Sequence, residues 1–138
     1  MTHHLAILKP RYVQYLLAGK KTIECRFSRT RRPPFRRVRP GDTLWIKLSG
    51  GLVVAKATVH RVAYFHPLNP ETLRKLHKKY GRRIQADKHF YADHRNAGFA
   101  SVILLRRISA LKPFRILKRD RRAWVVLQTR PRPESQLH

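Results

Sequence analysis

The sequence predicts an α+β fold: a small, partly open β-barrel of five or six strands with two or three helices. Two observations predict it. Five or six short apolar segments are typical of strands, whereas few stretches have the spacing and end signals of helices. The order along the chain is strand, helix and then mainly strands, with one or two later helices. The length of 138 residues fits a single domain over residues 1–138.

The first 27 residues predict a strand, a helix and a second strand. Residues 5–8 are an apolar run of strand length. Pro10 is tolerated in a first helical turn, apolar side chains recur after it at helical spacing, and Gly19 is suited to end the helix. Residues 21–27 alternate between apolar and polar side chains, which predicts a half-buried strand.

Residues 28–39 predict an irregular basic loop. Pro33 and Pro34 exclude regular structure there and stiffen the chain. The segment from Arg29 to Arg39 carries six arginines, and no core requires them. We expect this loop to grip phosphates beside a cleft, with Phe35 available to stack on a base. The alternative is a solvated, disordered loop.

The middle of the chain predicts a turn followed by a hairpin of two strands. Residues 40–42, Pro-Gly-Asp, are a turn signal. Residues 43–48 and 52–62 alternate as strands, and a Ser-Gly-Gly connection joins them. Trp45 lies on the face of its strand opposite Leu44, where it is either a stacking platform or a core filler.

The later elements include a second helix and two more strands. Residues 69–81 predict a helix that Asn69 caps, that runs to about Tyr80 and that Gly81 closes. Residues 84–94 are ambiguous, and a short helix is one interpretation.

Two apolar segments near the end of the chain predict the remaining strands. Residues 99–108 follow a glycine, and residues 123–127 form the last strand. The polar tail over residues 130–138 is expected to be frayed.

The charge is the first indication of function. The chain has 32 Lys or Arg and only 7 Asp or Glu, which gives a formal net charge of +25. Such a surface repels itself and favours polyanions, nucleic acid first and an anionic membrane second. Arginines outnumber lysines by 21 to 11. Since the guanidinium is a planar donor array that stacks on bases, this surplus favours phosphate and base contacts. Charge alone does not distinguish RNA from DNA.

Cysteine and histidine content favour neither a disulfide framework nor a metal site. Cys25 is the single cysteine, which excludes an internal disulfide and a four-thiolate site and suits a reducing compartment. Four residues between 87 and 94 could suggest a metal site, but no recognised motif accompanies them, and a solvated helix face or a phosphate contact is the favoured role. These four residues are Asp87, His89, Asp93 and His94. We expect no metal and no cofactor, and, with no signal peptide or membrane-spanning run, a cytoplasmic protein.

Three segments resemble a known family. Residues 6–26 join a strand ending in Lys-Pro to a helix closing on glycine, followed by Lys21-Thr22-Ile23-Glu24-Cys25-Arg26. Residues 38–46 place a Pro-Gly-Asp turn before an apolar strand, and residues 53–59 form a strand of small residues. Together with a looser match over 99–108, they resemble ASCH domains of the PUA-like superfamily.

The resemblance implies a PUA-like barrel with a cleft, between the first helix and the barrel, that accepts RNA or a nucleotide. On a strand, Thr22, Glu24 and Arg26 share a face, and the turn after Gly19 could aim the amine of Lys21 at the helix end. Arg26 would hold a phosphate or a base edge, and Glu24 would accept from an exocyclic amine. The alternative is a structural ion pair that fixes the strand against the helix.

One branch of the family deacetylates acetylated cytidine, and other members have been proposed as ribonucleases. Lys21 matches the catalytic lysine of that branch, but Glu24 stands where the branch has its threonine nucleophile. Glu71 is the only Glu between the Pro-Gly-Asp turn and the last strand, and it stands at a helix start, where it serves the helix dipole. Lys21 and Glu24 are therefore the catalytic candidates of the alternative function, a hydrolase acting on a modified nucleoside or on RNA.

The leading prediction is an RNA- or nucleotide-binding module that uses a basic cleft and an arginine-rich loop. We expect no membrane partner, and the oligomeric state stays open. A basic structural protein of a ribonucleoprotein is a third class. The expected nucleic-acid-binding residues are Lys9, Lys21, Arg26, Arg29, Arg31, Arg32, Arg36, Arg37, Arg39, Trp45 and Lys47. A second basic cluster that could extend the same path comprises Arg115, Lys118, Arg119, Arg121 and Arg122.

Overall fold

The computed structural model describes residues 1–116 and 122–133. Within them a curled, six-stranded half-barrel carries three helices, which confirms the predicted α+β open barrel. The elements are β1 His3–Leu8, α1 Pro10–Leu17, β2 Ile23–Ser28, β3 Thr43–Leu48, β4 Val53–Phe65, α2 Pro70–Ile84, α3 Phe90–His94, β5 Phe99–Phe114 and β6 Trp124–Leu127. No helix of the described ranges is long and apolar enough to cross a membrane.

The sheet runs in the order β2-β5-β4-β3-β1-β6, so that β2 and β6 form its edges. β1 and β3 are parallel, and the other neighbouring pairs are antiparallel. The register shifts three times between the long strands β4 and β5. Such irregularities bend a strand and increase its twist, which curls the sheet.

Curling brings the β2 edge towards β1 and β6. Arg26 of β2 donates from Nη2 to the backbone oxygen of Ile7 at 3.0 Å, and its Cζ lies 5.4 Å from the centre of the Trp124 ring. A gap remains between these strands, and we call it the seam. Among the described residues, the Arg26 side chain thus bridges the seam, and no ladder of backbone hydrogen bonds joins β2 to β1 or β6.

Each face of β2 packs against a different part of the molecule. Ile23, Cys25 and Phe27 join the apolar cluster beneath α2 and α3. Opposite them, Glu24 pairs across the sheet with Ile103, which belongs to the cluster shared by the barrel and α1. The predicted alternation of residues 21–27 is therefore confirmed.

Helix α2 is longer than the sequence predicted. Asn69 caps it as expected, since its side chain accepts from the backbone N–H of Thr72 at 2.9 Å. The prediction that Gly81 closes the helix was wrong: the helix continues to Ile84, and Gln85 takes the left-handed conformation with φ of 65°. The added turn buries Ile84 in the cluster beneath α2, and this burial outweighs the helix-ending tendency of glycine.

The ends of the other strands and helices differ by a few residues from the predicted ones. β4 extends to Phe65 and β5 to Phe114, beyond the predicted ends at residues 62 and 108, because the two strands pair over this whole length. The ambiguous stretch 84–94 contains the short helix α3. The expected basic residues Lys118, Arg119 and Arg121, and the tail over residues 134–138, lie outside the described residues.

A buried network joins β1 to the Pro-Gly-Asp turn and to β6. Nε2 of His4 lies 2.9 Å from Oδ2 of Asp42, and Nε1 of Trp124 lies 3.2 Å from Nδ1 of His4. Since the indole N–H only donates, Nδ1 of His4 accepts, and Nε2 carries the proton that is donated to Asp42. The carboxylate also accepts from the backbone N–H groups of Thr2 and Arg39, each at 3.0 Å. The network therefore holds a neutral imidazole and an ionised aspartate.

This network predicts that acid lowers the free energy of unfolding. Burial lowers the pKa of His4 below its usual 6.5. Burial alone would raise the pKa of Asp42, but the hydrogen bonds from His4, Thr2 and Arg39 bring it below 3.8. The unfolded chain thus binds protons more readily at both groups, so stability is full above pH 6.5 and falls as the pH drops. The slope is at most about 1.4 kcal/mol per pH unit for each group.

Urea unfolding between pH 8 and pH 3 measures this effect. We expect the midpoint to fall below pH 6.5 and to fall again near pH 4. Asp42→Asn should reduce the second step, to which Glu24 also contributes because its pKa is lowered as well, and it should lower stability at neutral pH. A midpoint that stays constant from pH 7.5 to pH 5 would contradict the assignment of a neutral, buried His4.

Candidate functional site

A cavity of about 400 Å³ lies in the seam, and we call it the seam cavity. Its walls are the end of β1, helix α1, strand β2 and the segment from the end of α2 to α3. The side chains that bring charge or an imidazole to its surface are Lys9, Lys21, Glu24, Arg26, Asp87, Asp93 and His94. Cations and carboxylates are thus mixed within one concave surface.

Glu24 is the centre of a buried ion cluster at the base of this cavity. Its Oε2 lies 3.2 Å from Nη2 of Arg26, and its Oε1 lies 3.5 Å from Nζ of Lys21. Oε1 also accepts from the backbone N–H of Cys25 at 3.1 Å. The side chains of Lys21 and Glu24 are 3% and 9% exposed, whereas that of Arg26 is 21% exposed. Arg26 is therefore the member of the cluster that solvent reaches most easily.

The turn after α1 explains how Lys21 reaches Glu24. Gly19 has φ of 77°, and the N–H groups of Lys20 and Lys21 both donate to the backbone oxygen of Tyr15. This reversal places Lys21 just before β2, where Nζ donates to the backbone oxygen of Ile84 at 2.8 Å. The extra turn of α2 thus supplies the acceptor that anchors the lysine beside the cavity.

Electrostatics keep Glu24 ionised and Cys25 protonated. Burial would raise the pKa of Glu24, but the charges of Arg26 and Lys21 and their hydrogen bonds outweigh burial and lower it. Burial raises the pKa of the Cys25 thiol far above its usual value, and the Glu24 carboxylate raises it further. The site therefore offers a permanent carboxylate acceptor beside two cations and an inert thiol.

Aromatic side chains form another wall of the cavity. The rings of Phe27 and His94 stack with their centres 3.7 Å apart and 17° between their planes. Burial lowers the pKa of His94, while Asp93 and Asp87 oppose that shift. Across the cavity, the ring of Tyr12 lies 5.6 Å from Nζ of Lys21. A planar ligand would meet both apolar ring surfaces and ionic groups here.

Four of the predicted residues converge at this site. Lys9, Lys21, Glu24 and Arg26 all line the seam cavity. The six arginines of the basic loop are exposed and do not line it. Of these six, Arg32 lines a smaller cavity that adjoins the first.

Two predicted stacking roles, those of Trp45 and Phe35, are corrected. Trp45 is 3% exposed and packs in an apolar cluster with Leu5 and Val53, so it cannot stack on a base. Lys47 does not line the seam cavity, and its Nζ donates to the backbone oxygen of Leu48 at 3.3 Å, so its contact with nucleic acid stays a prediction. Phe35 is 5% exposed, against Tyr64 and Phe99, and anchors the basic loop to the barrel instead of presenting a stacking surface.

Sequence reasoning missed part of the cavity wall. Asp87, Asp93 and His94 line the cavity, whereas the sequence had favoured a solvated helix face or a phosphate contact for this cluster over a metal site. Among the described residues, no group of three metal-ligating side chains could hold an ion. Glu71 pairs with Lys75 at 3.4 Å in the first turn of α2 and does not line the cavity.

The buried cluster predicts a large loss of stability in Glu24→Gln. This change removes the carboxylate that compensates Lys21 and Arg26. We expect the free energy of unfolding to fall by about 3 kcal/mol in urea denaturation, since breaking a buried ion pair leaves an uncompensated charge. Glu71→Gln is the matched control: its ion pair is exposed, so the loss should stay below about 1 kcal/mol. Equal losses in the two variants would contradict an electrostatic role for Glu24.

Comparison with known proteins identifies the fold. No protein-family model matches the sequence, and no curated protein matches it. The chain is similar to the crystal structure of ASCH from Zymomonas mobilis, with a TM-score of 0.71 and 20% identity over 91% of this chain and 87% of that chain.

The chain is also similar to the crystal structures of two variants of the Zymomonas mobilis protein. A tyrosine-to-phenylalanine variant has a TM-score of 0.72 and 19% identity over 93% of this chain and 91% of that chain. A serine-to-alanine variant has a TM-score of 0.70 and 20% identity over 91% and 88%. From its strand order, its helices and this similarity, we conclude that the chain has an ASCH-type fold.

Proposed function

We propose that this ASCH-type module binds RNA or a nucleotide and that the seam cavity receives one nucleotide. The volume of about 400 Å³ lies in the range of small-molecule sites. The edge of a base presents both donors and acceptors, and the cavity offers both kinds of partner. The stacked rings of Phe27 and His94 supply an apolar wall for a planar base.

The observation that carries the proposal is the open cavity above the buried cluster of Lys21, Glu24 and Arg26. A purely structural ion cluster needs no such space, because surrounding side chains would fill it. Within the part of the chain that the structure describes, both hydrogen bonds of the Arg26 side chain come from Nη2. A guanidinium has five N–H donors, so Arg26 has donors left for a ligand.

The basic loop supports a polyanionic partner. Its arginines lie exposed between Arg29 and Arg39 on a chain with a formal net charge of +25. Like charges so close together repel one another, and a phosphate backbone relieves that repulsion. Phe35 holds the loop to the barrel beside the strand that lines the cavity, which supports contact with the backbone of an RNA bound there. We also propose a cytoplasmic location, where RNA is available.

The salt dependence of RNA affinity tests the loop. For about six phosphate contacts on a single strand, the logarithm of affinity should fall with the logarithm of salt concentration with a slope of magnitude about 4 to 5. Replacing Arg31, Arg32, Arg36 and Arg37 together by Ser should weaken binding across all sequences and flatten this slope. Fluorescence anisotropy with labelled single-stranded RNA measures both quantities.

A matched control separates a local path from general charge. The control variant replaces four exposed cations of α2 by glutamine, namely Arg74, Lys75, Lys78 and Lys79. This substitution removes the same charge as the loop variant and keeps the helix propensity. This variant should retain more of the slope than the loop variant. Equal effects, or a slope near zero in the native protein, would overturn the role of the loop. Anionic vesicles serve as a second ligand, and binding to them in preference to RNA would argue for a membrane partner.

The second candidate function is a hydrolase acting on a modified nucleoside or on RNA, for which the Lys21–Glu24 pair would have to supply acid–base catalysis. General acid–base catalysis needs a group with a pKa near the working pH. The lowered pKa of Glu24 makes it a weak base, and the raised pKa of Cys25 removes a thiolate nucleophile. The site therefore supports binding better than turnover.

Incubation with acetylated cytidine and with labelled single-stranded RNA, followed by product analysis, decides between the two functions. We expect no product above the level of a Lys21→Ala control. Turnover by the native protein that disappears in Lys21→Ala would establish the hydrolase instead.

A further inference from the structure

A second cavity of about 190 Å³ adjoins the seam cavity, and we call it the arginine cavity. Arg26 and Phe27 line both cavities, so the two meet at these side chains. The arginine cavity continues along β2 to Ser28 and is closed by Arg32 of the basic loop and by Ser101 of β5. It holds several times the roughly 30 Å³ that one water molecule occupies in the liquid, which leaves room for a phosphate group.

The two cavities differ in charge. In the seam cavity, the three carboxylates of Glu24, Asp87 and Asp93 are balanced by the three cations Lys9, Lys21 and Arg26. The arginine cavity is lined by Arg26, Arg32 and Arg122, and no acidic residue lines it among those that the structure describes. The balanced charges of the seam cavity give a phosphate little net attraction, whereas the arginine cavity attracts it, and a neutral base with donors and acceptors suits the seam cavity. These charges favour a nucleotide whose base lies in the seam cavity and whose phosphate lies among the arginines.

Arg26 and Ser101 stand together at the boundary of the arginine cavity. They are direct partners across the β2–β5 ladder, so their side chains share one face of the sheet. Ser101 is 2% exposed, and it lines the arginine cavity together with Arg26. A buried hydroxyl donor beside a guanidinium is suited to a phosphate oxygen.

We infer that the arginine cavity binds the phosphate attached to the nucleoside in the seam cavity, so that the site selects a phosphorylated nucleotide over a free nucleoside. This inference rests on the proposed function. It places the ligand in the class of phosphate esters of nucleosides, either a free nucleotide or a phosphodiester within RNA. Arg32 and Ser101 then determine specificity, because a nucleoside without a phosphate gains no binding energy from them.

Isothermal titration calorimetry on the full chain tests the inference. The ligands are the four ribonucleosides, their 3′- and 5′-monophosphates, and dinucleotides. We expect the phosphorylated ligands to bind at least about tenfold more tightly than the nucleosides, since hydrogen bonds to a charged group are the strong ones. Arg32→Ala should remove about tenfold of the affinity for phosphorylated ligands and change nucleoside affinity less than about twofold.

Arg74→Ala is the matched control, since it makes the same change at an exposed position near the start of α2. It should change neither affinity by more than about twofold. Ser101→Ala should weaken the phosphorylated ligands alone, as Arg32→Ala does. A dinucleotide that binds more tightly than either monophosphate supports the site with RNA as the source, and equal affinities support it with a free nucleotide.

Other outcomes overturn the inference. If nucleosides bind the native protein as tightly as their monophosphates, the phosphate site is excluded while the proposed nucleotide binding stands. The phosphate site is likewise excluded if Arg32→Ala weakens the binding of nucleosides and of phosphorylated ligands equally. If neither class of ligand binds the native protein, the proposed function fails together with this inference.

Discussion

The bridge that Arg26 makes across the seam is the interaction on which the other features depend. A curled sheet of six strands ends in two edges, and unpaired edges are open to association with other chains. Arg26 contacts β1 through the backbone oxygen of Ile7 and β6 through the ring of Trp124. Because a side chain spans the gap, space remains on both sides of it. The same guanidinium thus holds the barrel together and separates the two cavities.

A buried cluster of charges is a costly way to join two strands. Apolar residues of similar size close such gaps at least as stably, because burying ions carries a large desolvation penalty. Glu24 offsets part of that penalty by pairing with both cations, and Ile84 contributes a carbonyl oxygen to Lys21. The desolvation penalty of the cluster therefore favours a binding role, in which a ligand uses its remaining donors and acceptors. Helices α2 and α3 support β2 from its other face and keep the cluster in place.

Part of the candidate site was predictable from sequence, and individual residues show why the rest was not. Strand parity put Glu24 and Arg26 on one face, and the turn after Gly19 allowed Lys21 to join them. Parity also put Trp45 opposite Leu44 but could not tell that a further apolar cluster covers that face. Phe35 was assigned to a ligand because a basic loop has no local signal for which of its residues anchors it. Asp87, Asp93 and His94 line the cavity after a helix that runs on to Ile84, and local sequence pattern did not indicate that this segment packs beside β2.

By itself the sequence determined the strand and helix pattern, the open barrel and the surplus of positive charge, since these follow from local periodicity, turn residues and composition. Tertiary structure alone decided that the β2 edge meets β1, that an arginine bridges them, and that a mixed cavity and a cationic one lie side by side. The reason is physical: curvature of the sheet comes from register shifts between β4 and β5, and contacts between residues far apart in the chain follow from that curvature.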